Sequence, residues 1–526
     1  MLRRIKYKIS HTKFCLVYPL VLFTSYNAIN IDKLTKWFTV KDGLDVVGFA
    51  AYLLTALTLF ISFFVLVAHR RTTKLFAILI VVLSAAATYF IAKYNVAVDS
   101  SMILNVVNTD PTEASGLLSV RMLPYVLFLI LVPTAIILAG EITYEPGRRY
   151  LLSSAKLFVA AFVISIGSLY LNHNAINRAL TASAKYVIYS LVPINVIQGS
   201  LNATYKSLKP HFTSKKVIDI QGKVTSNDDL IVALVVGESA RQKNFSLYGY
   251  KGKDTNPVLG QVSGLHLLNG FAKKGSTLIA LPEILEKSDV KLAEVAFKLG
   301  VPTACLVNFT MYNNCDAVGE IMVSNCKYGK QCYDEDVIPL LKENLRSHTA
   351  GKQLTILHLG GGSHGPIYKD RYPPDFQKFQ PMCHDADVSA RCTEAELYNS
   401  YDNSILYTDY VLGGVISTLE STGKPYVMIY LSDHGESLME EGRLFHGVPP
   451  GMALPKEQAD IPLIVKSSVP ISITPRDTYT QPDVFDTVLD LLSIETPLFN
   501  KQGSFIKIRP PVAPAGSVAK GAGQGK

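Results

Sequence analysis

Charged residues are scarce in this chain, and their scarcity is uneven. Only 18% of the 526 residues are Asp, Glu, Lys or Arg, while 48% are hydrophobic. Long apolar runs dominate residues 14–172, and from about residue 210 the composition is that of a globular domain. The net charge of +8 comes without a basic stripe interleaved with aromatic residues, which argues against a nucleic-acid-binding protein. The length predicts two to four domains, and the sequence has no internal repeat.

Five apolar segments are long enough to span a bilayer, which takes about 20 residues of helix. They lie at 14–30, 46–68, 73–92, 123–140 and 152–172. The first follows the basic stretch MLRRIKYK but lacks a clean small-x-small cleavage site, and four further spans come after it. We therefore predict a retained anchor rather than a signal peptide.

Basic residues cluster at one end of these segments. Arg3 and Arg4 precede the first span, HRRTTK (69–74) joins the second and third, and EPGRRY (145–150) joins the fourth and fifth. Because cytoplasmic loops are enriched in Lys and Arg, this pattern predicts a cytoplasmic N-terminus. With five spans, everything after residue 172 then lies outside the cytoplasm.

The cysteines independently indicate an oxidising compartment. Two pairs of close neighbours suit short-loop disulfides: Cys326 with Cys332, and Cys383 with Cys392. No second CxxC and no paired His stands at ligand spacing, which favours disulfides over a zinc knot. Pairing of Cys305 with Cys315 is left open, and Cys15, in the first span, is predicted to be free.

Strand-like and helix-like segments alternate in the second half of the chain. Apolar strands are predicted at 229–239, 301–308, 353–366, 425–437 and 461–468, and helices at 291–300 and 397–421. Continuous apolar strands alternating with helices indicate a mostly parallel sheet covered on both faces. The predicted fold is thus an α-helical five-span membrane domain followed by an α/β domain.

The chain is accordingly divided into four parts. They are a transmembrane domain over 1–172 with an outer-face loop at 94–122, a connector over 173–215, a catalytic domain over 216–508 and a disordered tail over 509–526. The tail is rich in Pro, Gly, Ala and Lys, a composition that cannot bury a core.

Reactive side chains collect where the predicted strands end. Glu238 ends one strand, Asp433 and His434 end another, and Ser276 and Thr277 precede a helix-like run. Taken singly, a Glu after a strand is usually a helix cap, and an Asp–His pair is more often structural than a ligand. Parallel strands end at one rim of a sheet, so we expect these groups to meet, and carboxylates with an imidazole suit zinc. A metal there would stabilise the alkoxide of the hydroxyl residue, and a helix N-terminus would offer N–H donors to a phosphate. The set predicts attack on phosphorus or sulfur.

Three further residues stand near these strand ends. His364 follows a GGGS loop, Glu436 follows His434 by two residues, and His446 lies in RLFHGVPPG. A lone His in a glycine loop is usually structural, so these residues become candidates for the site only if the fold brings them beside the other strand-end residues.

The loop between the third and fourth spans has an amphipathic pattern over 102–118. Asn105, Thr109 and Glu113 are spaced by four and would share one face of a helix, although Pro111 between them would break or restart it. The face is either solvated or a polar grip on a lipid headgroup, and spacing alone leaves both open.

Five motifs together resemble the phosphoethanolamine transferases, a group that includes lipid A modifying enzymes and mobile colistin resistance proteins. They are VVGESARQKNFSLYGY, GSTLIALPEIL, LHLGGGSHGPIY, SYDNSILYTD and SDHGESLMEEGRLFHGVP, joined by NVVNTDPTEA in the outer loop. The resemblance covers nearly the whole chain and implies the alkaline phosphatase/sulfatase fold for the catalytic domain.

The resemblance also implies roles by position. The implied zinc ligands are Glu238, Thr277, Asp433 and His434, with Thr277 also the nucleophile. His364 and His446, with the neighbouring Glu436, match residues that bind phosphate, a second zinc or the acceptor and serve in acid/base steps. Asn105, Thr109 and Glu113 match polar residues on the lipid side.

The implied reaction moves phosphoethanolamine from phosphatidylethanolamine to a lipid A phosphate or a core sugar of lipopolysaccharide. It proceeds through a phospho-threonine, releases diacylglycerol and lowers the surface negative charge that polymyxins recognise. The resemblance implies one firmly bound Zn²⁺ with a second left open, and a monomer in the inner membrane of a Gram-negative bacterium with its catalytic domain in the periplasm.

This sequence departs from the family at two places. Lys273 and Glu283 occupy positions where many relatives have cysteines joined across the nucleophile loop, and we expect their opposite charges to replace that link in part. A headgroup-binding lysine of the family has no clear counterpart in MYNNCDAVG (311–319).

Three alternatives fit the sequence less well. A phosphoglycerol transferase of the lipoteichoic acid synthase kind would have fewer cysteines, and a sulfatase would need Cys or Ser before x-Pro-x-Arg, which TLIALPE lacks. A degenerate membrane sensor would have lost core ligands, and all of them are present.

Overall fold

The structure is a computed structural model. It describes residues 7–40, 43–108, 120–182, 189–212, 219–309, 311, 314–324, 327, 332–347, 350–360, 363–365, 368–385, 388–448 and 453–509. Thr109, Glu113, Cys326 and nearly all of the predicted tail lie outside the described residues.

The first part of the chain is helical. Its helices are α1 (His11–Ala28), α2 (Ile31–Trp37), α3 (Val46–Val67), α4 (Thr73–Tyr94), α5 (Ser100–Asn108), α6 (Met122–Ala139, π-helical over Val126–Leu131), α7 (Gly147–Leu171), α8 (His173–Ala182) and α9 (Ile194–Phe212). Capping fixes several ends: the Gly48 N–H donates to Asp45 Oδ1 over 2.8 Å at the start of α3, and Asn95 ends α4 in the left-handed region at φ 53°.

Among the described residues, four helices are long and apolar enough to cross a membrane, namely α3, α4, α6 and α7. They coincide with the second to fifth predicted spans. Helix α1 covers most of the first predicted span, but it also includes His11, Lys13 and Asn27, and its most apolar stretch is less apolar than those of the other four. A membrane domain is therefore confirmed, whereas the first of the five predicted spans is not.

The basic loops of the membrane domain lie together at one end. A short strand, Tyr7–Ser10, pairs in parallel with Gly140–Thr143. Beside it, Arg70 Nη2 donates to the carbonyl of Glu145 over 2.8 Å. The N-terminal segment and the two basic loops thus share one side, as the positive-inside pattern predicts.

The second part of the chain is built on one eight-stranded sheet. Its strands are β1 (Leu230–Gly237), β2 (Leu265–Phe271), β3 (Thr303–Val307), β4 (Glu320–Met322), β5 (Lys352–His358), β6 (Tyr426–Ser432), β7 (Asp460–Ser467) and β8 (Tyr479–Thr480). They are arranged in the order β4-β3-β5-β1-β6-β7-β2-β8, and β7 alone runs antiparallel to its two neighbours. The predicted mostly parallel sheet is confirmed.

Helices cover both faces of this sheet. They are α10 (Thr277–Leu285), α11 (Leu292–Lys298), α12 (Val337–Ser347), α13 (Val388–Arg391), α14 (Glu394–Glu420), α15 (Lys456–Ala459) and α16 (Gln481–Leu491). The alternate side chains of β1 pack into two separate apolar clusters, one with α12 and α14 and the other with α10, α11 and α16. All eight residues of β1 are buried, which explains its uninterrupted apolar sequence.

Smaller two-stranded ladders join the loops. They pair Thr39–Val40 with Gly43–Leu44, Lys223–Val224 with Ile494–Glu495, Glu286–Lys287 with Val290–Lys291, Ser437–Leu438 with Leu444–Phe445, and Ile471–Ile473 with Ile506–Ile508. The domain boundaries proposed from the sequence stay a prediction.

The disulfides agree with an oxidising compartment. Cys383–Cys392 is confirmed, and Cys305 pairs with Cys315, which answers the question that the sequence left open. Cys15 is free and buried, as predicted.

Candidate active site

Glu238 lies immediately after β1 in a strained turn. The next residue, Ser239, has a left-handed backbone at φ 56°, which is uncommon outside glycine and typical of functional sites. Ser239 Oγ donates to Glu238 Oε1 over 2.7 Å, and its N–H donates to Asp433 Oδ1 over 3.0 Å. The turn therefore fixes two carboxylates at once.

Asp433 and His434 follow β6, the strand next to β1 in the sheet, so the two strand ends bring them beside Glu238. His434 Nδ1 lies 2.9 Å from the carbonyl oxygen of Gly435, which only an Nδ1–H can satisfy. The lone pair of Nε2 then faces Asp433 Oδ2 at 3.2 Å and Glu238 Oε1 at 3.6 Å. All three side chains are buried.

This arrangement fits a metal ion. One ligand atom from each of Glu238, Asp433 and His434 lies within 4.8 Å of the others. Asp433 Oδ2 is buried without a hydrogen-bond partner among the described residues, and buried acceptors facing one another call for a cation. Burial lowers the pKa of His434, but the charges of Asp433 and Glu238 outweigh it and raise that pKa overall, which shows how strongly the pocket favours positive charge.

Thr277 is the first residue of α10 and points at this set. Its Oγ1 donates to Glu238 Oε2 over 2.8 Å and lies 3.5 Å from His434 Nε2. The backbone N–H groups of a first helical turn have no intrahelical acceptor, so they can receive an anion beside the hydroxyl. Ser276 is the N-cap residue in extended backbone, and its side chain makes no capping hydrogen bond to the helix.

The two histidines and Glu436 form a second layer next to the metal-binding set. The rings of His364 and His434 lie 4.8 Å and 4.3 Å from that of His446, and His446 Nδ1 is 3.3 Å from Glu436 Oε2. Burial, and then the charge of His446, lowers the pKa of His364 to about 4. Burial, and then His434, lowers the pKa of His446 to about 3, while burial raises the pKa of Glu436 to about 7. At neutral pH both imidazoles are therefore uncharged, and the Glu436 carboxyl, which titrates near neutrality, is suited to exchanging protons.

A cavity of about 280 Å³ connects Thr277 to the membrane domain. Its lining includes polar residues of the second domain: Glu238, Thr277, His364, Arg371 and His446. It also includes apolar residues of α4 and the segment that follows it: Leu83, Ala86, Ala87, Phe90 and Val96. A polar reaction centre therefore opens onto an apolar wall.

Asn105 is the lipid-side residue that the structure describes, and it reaches the nucleophile segment. Its Nδ2 donates to Ser276 Oγ over 2.8 Å, which joins α5 of the membrane domain to the start of α10. The structure thus brings Asn105 to the same cavity as the strand-end residues.

Sequence reasoning missed the groups that hold the site in place. Arg241 is fully buried; its Nη1 donates to Glu440 Oε1 over 2.6 Å and to the carbonyl of Glu436 over 3.2 Å. Tyr401 Oη donates to the carbonyl of Ser239 over 2.8 Å and accepts from the Arg241 N–H over 2.9 Å. The sequence signal for these groups was the polar run NSYDNS (399–404), which lies on a helix whose buried face is expected to be apolar.

The expected Lys273–Glu283 ion pair is wrong by one residue. The pair forms between Lys274 Nζ and Glu283 Oε1 at 3.8 Å. Glu283 lies on α10, whereas both lysines belong to the irregular segment before it, where sequence spacing does not determine which side chain faces the helix.

Known proteins match both halves of the chain. The profile described as phosphoethanolamine transferase EptA/EptB matches residues 56–208, and the sulfatase profile matches residues 303–494. The phosphoethanolamine transferase EptA of Helicobacter pylori is 32% identical over 421 residues, which cover 75% of this chain and 76% of that protein. The chain belongs to the phosphoethanolamine transferase family.

More distant members of the phosphoethanolamine transferase family match almost the full length. The phosphatidylethanolamine transferase Mcr-1 of Escherichia coli is 26% identical over 95% of this chain and 98% of its own. The integral membrane lipooligosaccharide phosphoethanolamine transferase A of Neisseria meningitidis has a TM-score of 0.80 at 25% identity and covers 96% of this chain and 100% of its own. The resemblance drawn from the motifs is confirmed, and so is the sulfatase-like fold of the second domain.

Proposed function

We propose that this protein transfers phosphoethanolamine from phosphatidylethanolamine to lipid A or to the core sugars of lipopolysaccharide. The observation that carries the proposal is the cavity, whose lining includes Thr277 and Glu238, a member of the metal-binding set, together with apolar residues of α4. A phospholipid has the same two-part character, with a phosphate at one end and acyl chains at the other.

Zinc is the metal that this donor set favours. Glu238, Asp433 and His434 offer two carboxylates and an imidazole, with Thr277 Oγ1 as a fourth donor atom. When bound, zinc supplies positive charge that makes the Thr277 hydroxyl a better nucleophile and stabilises charge on the phosphate oxygens. His364 and His446 would be the ligands of a second zinc in the same region, if one binds.

The reaction has two displacements at phosphorus. In the first, Thr277 Oγ1 forms a bond to the donor phosphorus, the bond to the glycerol oxygen breaks, and diacylglycerol leaves as an alcohol with the proton that Thr277 gives up. In the second, an acceptor oxygen forms the new bond, the Thr277–phosphorus bond breaks, and Thr277 regains a proton. Glu238 Oε2, 2.8 Å from Thr277 Oγ1, is placed to hold that proton in both directions.

The second layer, made of His364, His446 and Glu436, would bind the substrate and orient the groups that react. His364 and His446 face the cavity and would contact the phosphate and pass protons to the leaving or entering oxygen. Glu436 orients His446 through the 3.3 Å contact with its Nδ1. Asn105 would meet the donor headgroup together with Thr109 and Glu113, the two residues that lie outside the described part of the chain.

The membrane arrangement follows from the same proposal. We take α1 as the first of five spans, because it packs in one apolar cluster with α3 and α4 and follows the N-terminal basic residues. The basic loops then face the cytoplasm, and the catalytic domain faces the periplasm of a Gram-negative bacterium as a monomer in the inner membrane. Masking anionic lipid A with an amine would lower the binding of polymyxins.

The test is to incubate the purified full-length protein with fluorescent phosphatidylethanolamine and, in parallel, with fluorescent phosphatidylglycerol. We expect diacylglycerol from the first lipid only, and one added phosphoethanolamine on lipid A or core oligosaccharide by mass spectrometry. Release from phosphatidylglycerol alone would instead make the protein a phosphoglycerol transferase.

A further inference from the structure

Arg371 lines the same cavity as Thr277 and His364, and none of the roles above uses it. Among the described residues that line the cavity, it is the single Lys or Arg. Its side chain is half-buried, and its guanidinium forms neither a hydrogen bond nor an ion pair within the described parts of the chain. A cation in this position has charge and donors available for a ligand.

The backbone on either side of Arg371 is firmly held. Tyr368 and Tyr372 are fully buried; the Tyr368 ring packs edge-on against Tyr401 of α14 at 5.4 Å, and Tyr372 Oη donates to the carbonyl of Ser400 over 3.0 Å. The Arg371 N–H donates to the carbonyl of Tyr368 over 2.9 Å. The guanidinium therefore extends from a rigid base, so binding a ligand orders only one side chain.

The second displacement needs a cation at this place. A phosphate acceptor brings negative charge to a phosphorus that already carries an anionic oxygen, close to the carboxylates of Glu238 and Asp433. Like charges at such distances repel strongly in a buried site, so the acceptor requires a positive group that the donor and the metal ligands do not use. The planar fork of a guanidinium matches a phosphate with two parallel hydrogen bonds.

We propose that Arg371 binds the phosphate group of the acceptor and so selects phosphorylated lipid A over an uncharged core-sugar hydroxyl. This rests on the proposed function and chooses between the two acceptors it includes. An oxygen of the phosphate held by Arg371 forms the new bond to phosphorus, the bond to Thr277 Oγ1 breaks, and Thr277 takes the proton of the incoming monoanionic phosphate. The product is a diphosphate that carries ethanolamine.

The two displacements can be measured separately in full-length protein. Without acceptor, a single turnover of fluorescent phosphatidylethanolamine reports the first; the dependence of transfer rate on the concentration of phosphorylated lipid A reports the second. For Arg371→Gln we expect the KM for lipid A to rise about tenfold or more, as loss of a charge-assisted hydrogen bond predicts. The single-turnover rate should change less than about threefold, because only the acceptor step uses the guanidinium. Arg371→Lys should restore part of the KM, since it keeps the charge without the fork.

Lys369→Gln is the matched control, because Lys369 is two residues away and pairs with Asp370 at 3.1 Å. It should behave like wild type in both assays, and zinc content and melting temperature verify that each variant is folded. A parallel fall in single-turnover rate in Arg371→Gln would assign Arg371 to the donor and overturn the proposal. An unchanged KM, or equal wild-type rates with lipid A whose phosphates have been removed, would overturn it as well. Wild-type protein that transfers nothing would refute the proposed function itself.

Discussion

Many apolar residues of the membrane domain face outward, whereas those of the central strands in the catalytic domain face inward. In the most apolar stretches of α3 and α4, half of the residues are buried inside the protein, against 6% for α6 and 17% for α7. In the sheet, by contrast, β1, β5 and β6 are buried at every position. The outer face of α6 and α7 is suited to contact with lipid, whereas the strand ends of the sheet concentrate buried polar groups.

This difference assigns different tasks to the two domains. Buried strand ends hold Glu238, Asp433 and His434 within hydrogen-bonded turns, which fixes their geometry for chemistry. The membrane domain contributes an apolar cavity wall and Asn105, which bears on how the lipid is presented. Changes at the strand ends should therefore abolish turnover, and changes on the membrane side should weaken it.

The largest effect is expected at the nucleophile. Thr277→Ala removes the hydroxyl that donates to Glu238, so diacylglycerol release from fluorescent phosphatidylethanolamine should fall by at least about 10³-fold. Thr277→Ser keeps a hydroxyl and should retain measurable turnover. Activity of Thr277→Ala above a tenth of wild type would remove Thr277 from the mechanism.

Loss of a metal ligand should come next. Asp433→Asn weakens the set that faces His434, and we expect about 10²-fold or more loss of activity with less than one zinc per protein by elemental analysis. Asp375→Asn, at an exposed position, is the matched control. Full zinc content and full activity in Asp433→Asn would exclude this carboxylate as a ligand.

A smaller effect is expected where the domains meet. Asn105→Ala and Ser276→Ala each remove one side of a 2.8 Å hydrogen bond, and each should lower turnover about tenfold while zinc content is kept. In a double-mutant cycle the two losses should overlap by about 1 kcal/mol. Fully additive losses would show that Asn105 acts on the lipid without acting through Ser276.

The disulfides should affect stability more than chemistry. The disulfide joins Cys305, within β3, to Cys315 in the segment that follows the strand, and replacing both with Ser should lower the free energy of unfolding by about 2–4 kcal/mol. Thermal unfolding of the full-length protein, with activity measured at low temperature, separates the two effects. Lost activity at an unchanged melting temperature would contradict a purely structural role.

The smallest effect is expected at the partly exposed pair on the nucleophile segment. Lys274→Ala should cost less than about 1 kcal/mol of stability, because solvent screens the pair with Glu283. Lys273→Ala is the matched control. Indistinguishable melting temperatures for the two variants would show that the Lys274–Glu283 pair does not contribute to stability.

The sequence predicted the parts of the fold that repeat a simple pattern. Continuous apolar runs marked β1, β3, β5, β6 and β7, and their polar ends marked Glu238, Asp433 and His434. Strand β2 was missed because only Gly270 of its seven residues is buried, so it lacks a continuous apolar signal. Strand β8 was missed because it has two residues, too few for any periodicity.

Other features depend on tertiary contacts that spacing does not encode. The left-handed backbone of Ser239 is one such feature. Another is the hydrogen bond between its carbonyl and Tyr401, which joins residues 162 positions apart. The ion pair of Glu283 falls on Lys274 because an irregular segment has no fixed side-chain period. No sequence pattern marked Arg371. What distinguishes it is that its guanidinium has no partner among the described residues around the cavity, and only the structure shows this.

The wall that α4 gives to the cavity has a consequence for kinetics. A donor that enters along this wall arrives by diffusion in the plane of a leaflet, so its relevant concentration is its mole fraction among lipids. Diluting phosphatidylethanolamine with another lipid should then slow turnover, whereas diluting the same vesicles in buffer should leave it unchanged. In the cell, the supply of donor to this protein would be set by leaflet composition and by the rate at which the headgroup is replenished there.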